Sequence, residues 1–113
     1  MKIPAALALL AACLPSIAGA YDYPTVDRVE YVHACMRDNP GPVQEMTYKC
    51  SCVIDAIAKE LNYEEYVDAS TAANAYSIAG EMGEAIRDTD VLKKLAMHFR
   101  ELQSKAKKSC FVR

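Results

Sequence analysis

The sequence predicts an all-α fold: a small disulfide-stapled helical bundle of three to five helices. Three observations predict it. Apolar residues recur at three- and four-residue steps, no segment shows the two-residue alternation of a half-buried strand, and four cysteines follow a leader-like N-terminus. The chain has no internal repeat and no low-complexity tract, so its helices are expected to close one modest core.

Taken in order, the first helix is expected to start near Thr25, with Asp27 and Glu30 in its first turns, and to run to about Asp38. Its expected buried stripe is Val29, Val32 and Met36. Asn39, Pro40, Gly41 and Pro42 form the strongest break, because two prolines and a glycine cannot continue a helix. The second helix carries the clearest pattern: Val43, Met46, Cys50, Val53, Ile54, Ile57, Ala58 and Leu61 return to one face turn after turn. It should be the central helix. Asn62 with Glu65 resembles a capping pair, and Tyr63, Tyr66 and Val67 give a third helix an apolar face, expected to be shorter or broken. Gly80 and Gly83 mark a turning connection. Asp88, Thr89 or Asp90 then caps a long last helix, Asp90 to about Ser109, with the stripe Leu92, Leu95, Phe99, Leu102 and Ala106.

Residues 1–20 read as a cleaved secretory signal peptide. Lys2 gives a positive start, Ala5 to Leu14 is apolar but short for a membrane span, and Ala18 and Ala20 are the small residues a signal peptidase reads. Cleavage after Ala20 would leave 21–113 as a single helical domain with no transmembrane segment, in the periplasm or secreted. The less favoured alternative is a lipid anchor at Cys13, since Leu10, Ala11, Ala12 and Cys13 also match a lipoprotein cleavage box.

An oxidising compartment favours two disulfides among Cys35, Cys50, Cys52 and Cys110. On a helix, residues two apart are rotated by roughly 200°, so Cys50 and Cys52 diverge and cannot easily bond each other. They would reach to different neighbours, one near the end of the first helix and one near the end of the last. Axial distance from the Pro40 to Pro42 turn favours Cys35 with Cys50 and Cys52 with Cys110 over the swapped pairing.

Charge is uneven. Tyr21 to Asp90 holds fourteen acidic and five basic residues, whereas Val91 to Arg113 holds seven basic and one acidic. Lysines near a helix C-terminus are explained by its dipole, so the asymmetry does not point to nucleic acid. His33 and His98 stand outside any catalytic motif, and no enzymatic activity is expected. The pairs Glu64 with Glu65 and Asp88 with Asp90 sit where helix starts want negative charge. No phosphate loop, calcium loop, paired Cys-x-x-Cys or haem motif occurs, and no cofactor is expected. A soft-metal site for copper built from His33, Cys35, Met36, Cys50 and Cys52 is the sharpest alternative chemistry, weakened by the divergence of the Cys-x-Cys pair. Seven tyrosines and no tryptophan suggest a contact surface, with Tyr21 and Tyr23 near the expected new N-terminus and Tyr63, Tyr66 and Tyr76 around the third helix as its candidates.

The run Tyr48, Lys49, Cys50, Ser51, Cys52 with Ile54, Asp55 and Ile57, preceded by Cys35 and Met36 and followed by Ala106, Lys107, Lys108 and Cys110, resembles small exported four-cysteine helical proteins of proteobacteria. The resemblance implies an accessory role near periplasmic quinoprotein dehydrogenase systems. It rests on framework cysteines and core positions, and so transfers fold better than function. The expectation is therefore an exported accessory protein that binds a periplasmic protein partner.

Overall fold

Helix-forming periodicity and proline placement set the boundaries seen in the computed structural model, which describes residues 22–78, 80, 84–85 and 87–113. The expectations for the leader, for Cys13, for Tyr21 and for Gly83 lie outside these residues. The described helices are α1 (Thr25–Asp38), α2 (Val43–Glu60), α3 (Tyr63–Tyr76) and α4 (Asp90–Ser109). Among the described residues there is no strand, and no helix is long and apolar enough to cross a membrane.

Proline opens both α1 and α2, with Pro24 and Pro42 at their N-cap positions and no side-chain cap on either. Asn39 closes α1 twice over, since its backbone N–H and its side-chain amide both donate to the Cys35 carbonyl, at 2.9 Å and 2.8 Å. Gly41 lets the following turn pack closely on Met46, whose Cγ would stand 3.0 Å from an added Cβ. Asn62 caps α3 as expected, its Oδ1 accepting from the Glu65 N–H at 2.9 Å. The helix it starts is continuous over 14 residues, not broken. Thr89 occupies the N-cap of α4 without capping it; its hydroxyl donates back to the Ala85 carbonyl at 2.9 Å.

The core is organised around α2, whose Cys50, Val53, Ile54 and Ile57 are all at most 1% exposed. Burying each isoleucine stabilises the fold by about 2–3 kcal/mol. Helix α2 packs against α1 on one side and α4 on the other, and α4 in turn carries α3. The α3 contribution is made of small side chains: Ala69, Ala72 and Ala73 are buried, and they let α4 approach with Ala96 and Phe99. Tyr23, just before α1, is 3% exposed; its hydroxyl donates to the Leu61 carbonyl at 2.7 Å, tying the segment before α1 to the end of α2. Arg28 adds an exposed link from α1 to Asp55 of α2 at 2.7 Å.

Two expected stripes need correction at their first residue. Val29 of α1 is 45% exposed and Val43 of α2 is 73% exposed. Val29 rims the open groove between α1 and α2, and Val43 is the first residue of α2, beside the Pro42 turn. The buried residue of α1 is Cys35, with Val32 and Met36 partly covered.

Cys35 bonds Cys50 and Cys52 bonds Cys110, with Cα separations of 5.9 Å and 5.8 Å. Cys50 is fully buried against α1, while Cys52, two residues on, lies on the exposed side of α2 and meets the end of α4. The staples thus tie α1 and α4 to opposite flanks of the central helix.

Candidate functional site

Because α1 packs on α2, and α3 on α4, the seam between α1 and α3 is left open as a cleft. The two helices run along it in the same direction. At one end Asp27, from the start of α1, and Tyr63, from the start of α3, line the same cavity. At the other end, residues from the last turns of both helices, Asp38 and Asn74, line one cavity.

Two cavities of about 320 Å³ and about 380 Å³ occupy this seam. Both are walled by Tyr31 of α1 and by Tyr66, Ser70 and Asn74 of α3, so they are adjoining parts of one cleft. The smaller is closed by Asp27, Glu30, Tyr63 and Val67. The larger reaches α4, which contributes Phe99 to the lining along with Arg100, Gln103 and Lys107, spaced to fall on one helical face.

Its tyrosines are held in the neutral, proton-donating form. Burial pushes the Tyr66 hydroxyl up to about 12, helped by Tyr31, Asp27, Tyr63 and Glu30 nearby. Burial also raises Tyr31, against the lowering effect of the Gln103 amide, which donates to its oxygen at 2.7 Å. That bond spans the cleft from α4 to α1 and leaves the phenolic proton for a bound group. The Tyr63 hydroxyl is raised chiefly by its bond to Asp27.

Arg100 is placed by two contacts: its guanidinium lies over the Tyr76 ring at 4.9 Å and donates to Ser77 Oγ. Among the described residues, neither Arg100 nor Lys107 has a carboxylate within 4 Å. Asp38, at the same end, pairs with Arg37 at 3.8 Å. The cleft is therefore acidic where α1 and α3 begin and basic where they end.

Of the tyrosines expected to form a contact surface, Tyr63 and Tyr66 line the cleft and Tyr76 supports Arg100, whereas Tyr23 is buried in the core and Tyr21 lies outside the described residues. Tyr66 also serves the core, stacking 4.7 Å from Tyr23 and meeting Phe99 edge-on at 6.0 Å. Sequence reasoning missed Tyr31, Gln103 and Arg100. The readable signal was the i, i+3, i+7 spacing of Arg100, Gln103 and Lys107, which places a cationic and amide stripe on one face of the last helix.

The soft-metal set does not come together as ligands. Cys35 and Cys50 are consumed in one bridge and Cys52 in the other. Met36 Sδ lies 3.6 Å from the Thr47 hydroxyl, and His33 lines a separate, mostly apolar groove between α1 and α2 with Val29, Val32 and Ile54. Among the described residues no group of three or more His, Cys, Asp and Glu is placed to hold a metal ion. His98 is exposed on α4 and lines none of these cavities. Compared with known proteins, the chain matches no family model, no curated protein and no solved structure.

Proposed function

We infer that this chain is an exported, non-catalytic binding protein that receives a segment of a protein partner in the α1–α3 cleft. The observation that carries this reading is the wall that the two cavities share along the seam, built from Tyr31, Tyr66, Ser70 and Asn74. A cleft whose sides mix hydroxyl and amide groups over an aromatic floor matches the make-up of recognition sites, in which aromatic area supplies contact and a few polar groups fix orientation. The two disulfides suit a small domain working in an oxidising compartment, the periplasm or the exterior. The resemblance to exported four-cysteine proteins fits an accessory role of the same kind.

The test is a photo-crosslinking side chain introduced in the exporting cell at Ser70 or Asn74, with Tyr48, which is 73% exposed on α2, as control position. The expected result is one adduct of the same mass from both cleft positions and none from Tyr48. No adduct from the cleft, or the same adduct from Tyr48, overturns the assignment.

A further inference from the structure

We propose that the cleft selects an extended peptide segment with split charge: a cationic residue at the Asp27 and Glu30 end, and a carboxylate at the Arg100 and Lys107 end. The proposal rests on the reading of this cleft as the contact site and names the chemistry it would accept.

Length is the first argument. Asp27 and Asp38 mark the two ends on α1, and at about 1.5 Å per residue they stand about 16 Å apart along the helix. A strand rising about 3.3 Å per residue covers that span in about five residues.

The walls are the second. A peptide laid along the cleft presents N–H and C=O groups in alternation, and each must find a partner when water is displaced. Asn74 offers an amide that both donates and accepts, Gln103 keeps its carbonyl and a second N–H beyond its bond to Tyr31, Tyr31 keeps its phenolic proton, and Ser70, whose hydroxyl donates to the Val67 carbonyl at 3.3 Å, offers an acceptor oxygen. These lie on three different helices, so partners face the segment from more than one side. Tyr66 and Phe99 supply an apolar floor for a side chain pointing inward.

Charge is the third. The Arg100 guanidinium is already fixed against Tyr76 and Ser77, so little freedom remains to be lost when it takes a carboxylate. At the opposite end, the Asp27 carboxylate lines the cavity with Glu30 one turn away, and both are acceptors for a cation. A segment of a single sign would meet repulsion at one end.

The experiment measures binding to the disulfide-bonded protein by calorimetry and by amide chemical shifts. It uses capped seven-residue peptides: lysine and glutamate about five residues apart in both chain directions, a two-lysine form, a two-glutamate form and a neutral form. The expected result is at least about tenfold tighter binding of a charge-split peptide than of the others, with shifts at Tyr31, Ser70 and Asn74. Arg100→Glu should weaken that peptide about tenfold and favour the two-lysine form in its place. Equal affinity for all peptides, with shifts still in the cleft, overturns the charge rule and leaves the contact site standing. No shift in the cleft with any peptide removes both. Inorganic phosphate or acetate reproducing the same shifts and displacing the peptide fully would make this a small-anion site and overturn the peptide assignment.

Discussion

Phe111 is the residue whose backbone the fold strains. It has φ 61°, the left-handed region, and its side chain is 78% exposed. The reason lies on either side of it. Cys110 is bridged and buried, Val112 is buried, and the chain must reverse between them. The Val112 N–H bonds the Lys107 carbonyl at 2.9 Å and the Phe111 N–H bonds that of Lys108 at 3.3 Å, the pattern of a Schellman motif whose turning position is normally glycine. Phe111→Gly should therefore raise stability by about 1 kcal/mol, read as a higher urea midpoint at unchanged slope. Tyr23 gives a second measurable effect. Burial first, then the neighbouring Tyr66, pushes its hydroxyl up to about 12 from an ordinary 10, against the lowering influence of Arg28. A raised value means the folded state holds the proton longer than the unfolded chain does. The stability from Tyr23 is thus complete below pH 10 and falls as pH rises toward 12. Tyr66 titrates in the same window and adds to the loss. Denaturant midpoints at pH 9 and pH 11, taken quickly to spare the disulfides, should drop more for the native protein than for Tyr23→Phe.

At the scale of the helix, most of the fold could be read from sequence because each boundary has a local cause. Pro24, Pro42 and Asn62 act on the residues beside them, and the observed starts Thr25, Val43 and Tyr63 follow directly. What periodicity alone does not contain is how closely a neighbouring helix covers each position. That is why Val29 and Val43, correct in phase, are exposed in fact, and why Ala96 and Ala73, weak as hydrophobic signals, turn out to be buried where α3 and α4 approach closely. The cleft was half readable for a related reason. Tyrosine frequency drew attention to Tyr63, Tyr66 and Tyr76, whereas Tyr31, Gln103 and Arg100 become neighbours only after the fold brings residues 72 positions apart, Tyr31 and Gln103, into one hydrogen bond.

Across the whole molecule, stability depends on two staples of unequal reach. The Cys52–Cys110 bridge closes 58 residues and the Cys35–Cys50 bridge 15. On the chain-entropy account these contribute about 4 and about 3 kcal/mol, respectively. Cys52→Ser with Cys110→Ser should therefore lower the unfolding free energy by about 4 kcal/mol, and Cys35→Ala with Cys50→Ala by about 3 kcal/mol plus whatever packing the fully buried Cys50 loses. Equilibrium denaturation of the two double variants would rank them, and a reversed ranking would mean that packing around Cys50 outweighs loop closure.

The longer bridge has a topological consequence of its own. Every peptide bond between Cys52 and Cys110 lies inside a covalent ring, and that ring includes all of α3, the connection after it and all of α4. A protease that cuts once anywhere in that stretch opens the ring without releasing a fragment. The nicked molecule keeps both walls of the cleft tethered through sulfur, and only a thiol reductant would separate its halves.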